Sequence, residues 1–342
     1  MKAAVLHQAQ QPMVIKSVPD PRVGVDDVLI KVRACGVCHS DLHAADGMFA
    51  AFGIPFPLIM GHEIVGEVEQ VGADVTYLKP GDRVGAYWEF GCGHCHNCLD
   101  GKEQLCLTNL GSGHTPALGL TLPGGYAEYV TLGAEYAIRL PDAIDFADAA
   151  PFFCAGLTMY GAFKNAELRP GQRVAILGIG GLGHIAIPIA KAMGAEVIAI
   201  TSHEAKEAAA KQLGADHTFT ATGVEAGKKL MAMGGADVVL PTTLNTETVI
   251  GAMQGLLPRG TLVLTALSFD PLPIVPLPLL LTEQRIIGSF IGGRRDAQEL
   301  LQLAVQHHIR PITECYGLDD ANKAHERLRE GKVRYRAVLM PN

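Results

Sequence analysis

The stretch Val174-Ala-Ile-Leu-Gly-Ile-Gly-Gly-Leu-Gly183 carries the strongest indication of the fold. Four apolar residues, Val174 to Leu177, predict a short buried strand, and the apolar spacing that follows predicts a helix from about Leu182 to Met193. The GxGxxG pattern between them is weak alone, but in this context it predicts a turn that binds the pyrophosphate of a dinucleotide at the helix N-terminus. The alternative is a bare strand–helix turn. The predicted cofactor-binding turn consists of Gly178, Ile179, Gly180, Gly181, Leu182 and Gly183.

The segments downstream of this turn continue the alternation of strand and helix. Val197 to Ile200, Val238 to Leu240 and Leu262 to Leu264 are short apolar runs at the spacing of a parallel, doubly wound sheet. The proline-rich piece Pro271 to Pro278 indicates a loop or an edge strand. The fold class is therefore α/β in this half.

The first 150 residues have a different sequence pattern, which predicts short strands of alternating polarity and many turns. Gly125 to Val130 is one such predicted strand. At 342 residues the chain can hold two domains, and its net charge of −7 gives no electrostatic case for a nucleic-acid partner. The longest apolar stretch, around Leu272 to Leu281, is interrupted by prolines and too short for a bilayer. We expect a cytoplasmic protein without a membrane partner.

The second strand of the dinucleotide unit ends without the acidic residue that usually holds the ribose 2′-hydroxyl. At that place stand Thr201, Ser202 and His203, with Lys206 close behind. Hydroxyls and a nearby cation can accept a 2′-phosphate, so the sequence favours NADP(H). NAD(H) remains an alternative because Glu204 lies only three residues late, and a solvated loop with no cofactor contact is another.

Four cysteines within fifteen residues, Cys92, Cys95, Cys98 and Cys106, predict a closed tetrahedral zinc site. Such a site is structural because no coordination position remains for substrate. Two local disulfides are the alternative, but disulfide frameworks belong to short secreted chains. The catalytic chemistry must come from other residues.

Three further candidate ligands are Cys38, in Gly36-Val-Cys-His-Ser-Asp-Leu-His43, His62, in Gly61-His-Glu63, and Cys154. Their spacing alone does not unite them. Together with the cysteine lobe and the glycine turn, in this order, the chain resembles the zinc-dependent medium-chain alcohol dehydrogenases over nearly its whole length. It looks most like the bacterial alcohol dehydrogenase and cinnamyl-alcohol-dehydrogenase-like branches.

The resemblance implies a GroES-like β-barrel catalytic domain, residues 1–152 and 291–342, and a Rossmann domain, residues 153–290. It also implies that Cys38, His62 and Cys154 hold a catalytic zinc, so that each chain binds two Zn²⁺ ions. Glu63 would lie behind this zinc and exchange as a transient ligand, and Asp41 would orient His62.

The same resemblance assigns the remaining site residues. Ser40 and His43 would relay the alcohol proton, from hydroxyl to ribose to imidazole. The implied cofactor contacts are His39 and Arg336 on the pyrophosphate and Thr158 and Leu182 on the nicotinamide. Phe49 and Trp88 would line the substrate cleft. Cys35 and Cys315 receive no role.

The implied reaction is reversible hydride transfer between a primary alcohol, with secondary alcohols as an option, and NADP(H) or NAD(H). The partner is thus a small-molecule alcohol or aldehyde. A zinc-free quinone reductase of the same fold would lack the ligand cysteines, and a zinc-dependent hydrolase would not need the glycine turn. The resemblance further implies a homo-oligomer, dimer or tetramer, while the natural substrate and the direction in the cell are not readable from these residues.

Overall fold

Residues 1–49, 53–268 and 270–341 are described by this computed structural model, and they form sixteen strands and twelve α-helices. The strands are β1 (Lys2–Leu6), β2 (Val14–Ser17), β3 (Asp27–Val37), β4 (Leu58–Ile59), β5 (Glu63–Val71), β6 (Arg83–Ala86), β7 (Tyr129–Gly133), β8 (Ala137–Arg139), β9 (Arg173–Leu177), β10 (Glu196–Thr201), β11 (His217–Thr220), β12 (Ala236–Pro241), β13 (Leu256–Leu264), β14 (Arg285–Gly288), β15 (Thr313–Gly317) and β16 (Arg336–Met340). The helices are α1 (His39–Ala45), α2 (His96–Leu99), α3 (Leu107–Ser112), α4 (Phe146–Ala149), α5 (Ala155–Asn165), α6 (Gly183–Ala192), α7 (Glu207–Gln212), α8 (Gly223–Ala232), α9 (Thr246–Met253), α10 (Pro276–Thr282), α11 (Arg294–Gln306) and α12 (Ala321–Arg329).

The chain divides into two units. The first comprises Met1–Leu157, Gly292–Val305 and Arg310–Asn342, and the second comprises Thr158–Ile291 and Gln306–Ile309. The domain limits inferred from the sequence, 1–152 with 291–342 and 153–290, stay a prediction. Among the described residues, no helix is long and apolar enough to cross a membrane.

The second unit is built on a parallel sheet in the order β11-β10-β9-β12-β13-β14. Numbered from β9, this is the strand order 3-2-1-4-5-6 of a doubly wound dinucleotide-binding fold. Its central strands are apolar along their whole length because helices cover both faces of such a sheet, and Val174 to Leu177 are fully buried in β9. The predicted doubly wound parallel sheet is confirmed.

Two local predictions were wrong. The piece Pro271 to Pro278 was expected to be a loop or an edge strand, but α10 begins inside it, at Pro276. Proline fits the first helical turn, where its missing N–H has no intrahelical partner to lose. The strand expected at Gly125 to Val130 starts only at Tyr129, because the amides of Gly125 and Tyr126 donate to the carbonyls of Gly61 and Met60 instead of joining a ladder.

The first unit contains a largely antiparallel sheet in the order β15-β16-β3-β5-β6-β8, with β7 also paired to β3, and a smaller sheet in the order β2-β1-β4. Its register brings three strand ends together. Gly36 of β3 pairs with Glu63 of β5, and Val37 of β3 pairs with Ala337 of β16. The end of β3, the start of β5 and the start of β16 therefore lie side by side. Along the chain, α1 begins just after the end of β3.

Candidate metal centres and dinucleotide turn

The four-cysteine lobe places its thiols at the separations of a shared ion. The Sγ atoms of Cys92 and Cys98 are 4.0 Å apart, and those of Cys95 and Cys106 are also 4.0 Å apart. Two sulfurs bound at about 2.3 Å to one tetrahedral zinc lie about 3.8 Å from each other. All four cysteines are free thiols, which argues against the disulfide alternative.

Hydrogen bonds within the lobe favour the thiolate form of Cys92 and Cys95, whereas burial raises the pKa of Cys98 to about 12. The amide of Cys95 donates to Cys92 Sγ, at 3.3 Å, and the amide of Leu107 donates to Cys95 Sγ, at 3.4 Å. The side chain of Thr108 and nearby amides lower the pKa of Cys92 to about 5. Thiolates are the form that binds metal, so the lobe fits a zinc ion.

A second cluster lies where β3, β5 and β16 meet. The ligand atoms of Cys38, His62, Glu63 and Cys154 all lie within 4.8 Å of one another, and the two thiols are 3.9 Å apart. Within the described parts of the chain, His62 Nε2 and Glu63 Oε2 are buried without a hydrogen-bond partner. Unpaired buried polar atoms are costly, and a cation between these atoms would satisfy them.

Each ligand is presented by the end of an element. Cys38 is the N-cap of α1, and its amide donates to Asp41 Oδ2, at 2.8 Å, three residues into the helix. His62 immediately precedes β5, and Glu63 is the first residue of that strand. Gly36, opposite Glu63, must be glycine because a Cβ there would lie 1.9 Å from Glu63 Oε2.

The electrostatics of this cluster suit a bound cation. The hydrogen bond between the two thiols lowers the pKa of Cys38 and raises that of Cys154. Metal binding requires both cysteines as thiolates. Burial opposes protonation of His62, but the adjacent Asp41 carboxylate outweighs it, and the net pKa of His62 is raised. His62 Nδ1 lies 3.2 Å from Asp41 Oδ1, which leaves Nε2 facing the thiols.

Arg336 lies beside the buried cluster. Its guanidinium is buried, forms an ion pair with Glu63 Oε1, and lies 3.3 Å from the carbonyl of Val37. Burial raises the pKa of Glu63 to about 7, although Arg336 opposes this shift. The contact of Arg336 with a cofactor stays a prediction.

The relay residues lie on the first turns of α1. Ser40 Oγ is 3.7 Å from Cys38 Sγ. His43 is half-buried, and its Nδ1 is shielded from solvent without a hydrogen-bond partner in the described residues. The ring of His43 meets the ring of Phe49 edge-on at 5.7 Å, and His39 is exposed beside it, at 6.5 Å. The Ser40 hydroxyl thus lies near one candidate ligand, Cys38, and His43 lies one turn of α1 further on.

Trp88 packs against two of the ligand-bearing segments. Its ring centroid is 5.0 Å from that of His62, and its Nε1 donates to the carbonyl of Phe153, at 3.1 Å. Phe153 immediately precedes Cys154. Trp88 therefore holds two ligands at their spacing, while its contact with substrate stays a prediction.

The glycine turn of the second unit has the shape that a pyrophosphate requires. Gly178 has φ +90°, and a Cβ on Gly183 would lie 2.0 Å from the carbonyl oxygen of Gly178. A Cβ on Gly180, in contrast, would meet no protein atom within 4 Å. This open space lies before the N-terminus of α6, where free amides and the helix dipole attract an anion. Leu182 is the N-cap of α6, and Thr158 is the buried first residue of the unit.

The residues at the end of β10 differ in what they can offer a ligand. The Thr201 side chain is 2% exposed, and its hydroxyl accepts from the amide of His203, at 3.3 Å, in a tight turn. Ser202, His203 and Lys206 are exposed. If a 2′-phosphate binds here, these three residues are the ones free to contact it.

The sequence reasoning missed three buried polar residues of the first unit. Tyr126 donates to Asp41 Oδ2, at 3.0 Å, and lies 3.2 Å from His325 Nε2. Glu89, next to Trp88, is buried with Oε2 unpaired among the described residues. No local motif marks any of them: the partners of Tyr126 and His325 are far away along the chain, and the burial of Glu89 follows only from the fold.

The chain is similar to known proteins over nearly its whole length. Residues 24–142 match the family described as alcohol dehydrogenase GroES-like domain, and residues 181–306 match zinc-binding dehydrogenase. An alcohol dehydrogenase of Geobacillus stearothermophilus is 41% identical over 99% of both chains. The NADP-dependent alcohol dehydrogenase C 1 of Mycolicibacterium smegmatis is 36% identical over 97% of this chain and 95% of the relative. The crystal structure of an alcohol dehydrogenase from Aeropyrum pernix is similar, with a TM-score of 0.89 at 34% identity and full coverage of both chains.

Proposed function

Because the chain belongs to the medium-chain alcohol dehydrogenase family and is an oxidoreductase that acts on small-molecule alcohols, we propose that it is a two-zinc enzyme with a preference for NADP(H). It interconverts a primary or secondary alcohol and the corresponding aldehyde or ketone by hydride transfer to and from the nicotinamide. The GroES-like unit carries the candidate metal ligands and the Rossmann unit carries the dinucleotide turn, and the proposed chemistry uses both.

The observation that carries the proposal is the buried cluster of Cys38, His62 and Cys154, with His62 Nε2 unpaired among the described residues. These three residues would hold the catalytic zinc, and Glu63 lies close enough to exchange as a fourth ligand. A bound zinc would supply Lewis-acid chemistry at the substrate oxygen. Two thiolates balance its charge while neutral His62 adds none.

The residues of α1 move the proton. Ser40, 3.7 Å from Cys38 Sγ, accepts the proton that the alcohol loses, and the half-buried imidazole of His43 passes it toward solvent. Trp88 and Phe49 exclude water from the reacting centre on their sides of the cluster. In the reverse direction the same two groups return the proton to the product alcohol.

The preference for NADP(H) is supported by the end of β10. A carboxylate is absent from Thr201, Ser202 and His203, so nothing there repels a 2′-phosphate, and exposed Ser202, His203 and Lys206 can donate to it. Neither cation is an arginine, so the preference should be modest and should weaken with salt. The Mycolicibacterium smegmatis relative is also named NADP-dependent.

The test is a panel of primary and secondary alcohols and aldehydes, with NADP(H) and NAD(H), on metal-replete protein. We expect turnover of at least one alcohol, higher kcat/KM with NADP(H), and loss of turnover in Cys154→Ser with Cys315→Ser as the exposed-thiol control. Ser202→Asp should shift preference toward NAD(H). Absence of turnover across the panel would contradict the reaction, and higher kcat/KM for NADH in the wild type would contradict the cofactor preference and leave Glu204 as the ribose contact.

A homo-oligomer is part of the proposal. In the described residues β14 pairs only with β13, so it is an edge strand, and α10 just before it exposes Leu277, Leu280 and Leu281 by 61, 73 and 72%. An unpaired strand edge beside an exposed apolar patch is typical of an interface. A second copy of the chain is the partner we propose. A cytoplasmic location stays a prediction from the free thiols.

A further inference from the structure

A chain of buried hydrogen bonds runs from the proposed metal site to α12. His62 Nδ1 lies 3.2 Å from Asp41 Oδ1, the Tyr126 hydroxyl donates to Asp41 Oδ2 at 3.0 Å, and His325 Nε2 lies 3.2 Å from the same hydroxyl. The exposed fraction of each of these four residues is 5% or less. Water therefore does not substitute for any member.

The chemistry of the groups fixes the direction of every bond. The Asp41 carboxylate can only accept, so the single proton of the Tyr126 hydroxyl points to Asp41. The tyrosine oxygen must then accept, and the proton of His325 stands on Nε2. At the other end Asp41 Oδ1 accepts the Nδ1 proton of His62. This bond directs Nε2 of His62 toward Cys38 and Cys154.

We propose that Tyr126 and His325 are positioning residues for the buried metal site, which hold Asp41 against His62 Nδ1 and so keep the His62 ring turned with Nε2 toward Cys38 and Cys154. The inference rests on the proposed function, because it assumes that Cys38, His62 and Cys154 bind the ion. Without the Tyr126 hydroxyl, Asp41 Oδ2 keeps only the amide of Cys38, at 2.8 Å, and the carboxylate is free to rotate away from His62.

The packing around Tyr126 supports a role for the hydroxyl beyond filling space. Its ring lies against the backbone just before His62, where Gly61 has φ +91° and a Cβ would come within 2.3 Å of the ring. The ring of His325 meets it edge-on, at 5.7 Å. Arg329, one turn further along α12, forms an ion pair with Asp46 at the end of α1, at 2.6 Å. α12 is thus fixed to the helix that carries Cys38 and Asp41.

The experiment measures how fast a chelator removes Co²⁺ from cobalt-exchanged holoenzyme, followed by the cobalt absorption bands. Cys154→Ser, which leaves only the lobe, gives the reference spectrum for that site. Loss of an outer partner of a metal-binding histidine typically costs 10–100-fold in metal affinity, and Tyr126 acts through Asp41, so Tyr126→Phe should release the buried cobalt roughly 10-fold faster. Release from the lobe should not change.

Tyr87→Phe is the matched control. Tyr87 is equally buried in the same unit, but its hydroxyl donates to the carbonyl of Gly292, at 2.9 Å, and has no link to Asp41. Cobalt release from Tyr87→Phe should match the wild type. His325→Leu should behave like Tyr126→Phe, while His325→Gln, whose amide can donate to Tyr126, should restore slow release.

Three results would overturn the inference: wild-type release from Tyr126→Phe, equal acceleration in Tyr87→Phe, or equal acceleration at the lobe. Each would mean that the hydroxyl has no specific effect on His62. A wild type that retains cobalt only in its lobe would overturn the proposed function as well. The two failures are therefore distinguishable.

Discussion

Glu89 is the residue whose burial has the clearest consequence for stability. Burial raises its pKa to about 8, against about 4.3 for an ordinary glutamate. The folded state thus keeps a proton that the unfolded chain gives up. This contribution to stability is full below about pH 4.3 and is lost as pH rises to about 8, at no more than about 1.4 kcal/mol per pH unit.

Glu89→Gln removes the titration while keeping the shape. The variant should therefore gain stability relative to the wild type between pH 5 and pH 8, as measured by urea unfolding at both pH values. Glu69→Gln, at an exposed position of β5, is the control and should show no such trend. A stability difference that is the same at both pH values would mean that Glu89 is ionised in the folded protein.

His43 is the residue on which the proposed proton transfer depends. His43→Gln should lower the rate of alcohol oxidation most near neutral pH, with partial recovery at high pH, where solvent hydroxide takes the proton. General acid–base groups contribute roughly 10²–10⁴-fold, and a relay that solvent can bypass belongs at the low end. The measurement is the pH–rate profile, with exposed His96→Gln of the lobe as control. An unchanged profile would remove His43 from the mechanism.

The predictability of the site residues follows their distance along the chain. Cys92 to Cys106 could be assigned from spacing because one short segment makes the whole site. Cys38, His62 and Cys154 needed the resemblance, since only the fold unites them. Tyr126 and His325 escaped both routes, because a tyrosine–histidine hydrogen bond across 199 residues leaves no local pattern.

The turn from β9 into α6 contains two glycines that are needed for different reasons, Gly183 for packing within the protein and Gly180 for the proposed approach of the cofactor. Gly183→Ala places a Cβ 2.0 Å from a backbone carbonyl, and overpacking of this kind costs about 1–3 kcal/mol. Gly180→Ala meets no protein atom. We expect Gly183→Ala to lower the thermal midpoint, and Gly180→Ala to fold normally but bind NADPH more weakly, in calorimetry and fluorescence titration respectively. Unchanged NADPH affinity in Gly180→Ala would show that the cofactor does not approach this turn.

Helices and strands were predictable where the apolar residues recur at a regular spacing. They were not predictable where a proline fits both a loop and the first turn of a helix. β9 and α6 follow directly from the apolar run and the glycines. The proline-rich segment before β14 was misassigned because Pro276 and Pro278 disfavour a helix interior but suit its first turn. Only the leucines after these prolines distinguish a helix from a loop or an edge strand, and interpreting them requires the tertiary structure.

The whole molecule should contain two zinc ions with different consequences for its stability. A closed structural site contributes folding free energy, so Cys95→Ser should lower both yield and the unfolding midpoint. Cys154→Ser should remain folded, hold one metal and lose activity. Elemental analysis with thermal unfolding of both variants tests this. One metal or none in unchelated wild-type protein would contradict it.

The oligomer is the second prediction at this scale. Light scattering should give a multiple of the 36.3 kDa chain mass. Replacing Leu277, Leu280 and Leu281 with serine should reduce that multiple, because the exposed apolar area of α10 is lost. Serine at Leu99 and Leu110 of the lobe, which are 73 and 65% exposed, is the comparison. A monomeric wild type would contradict the prediction.

The pairing of Arg336 with Glu63 affects the order in which the two proposed metal sites can form while the chain is synthesised. The lobe closes over the fifteen residues from Cys92 to Cys106, so its thiols can capture an ion while most of the second unit is still untranslated. The buried cluster needs Cys154, and its Glu63 stays without a counter-ion until Arg336 has left the ribosome and β16 has docked on β3. With two zinc ions, a nascent chain would therefore pass through a stage in which its lobe holds one ion while the buried cluster is still incomplete.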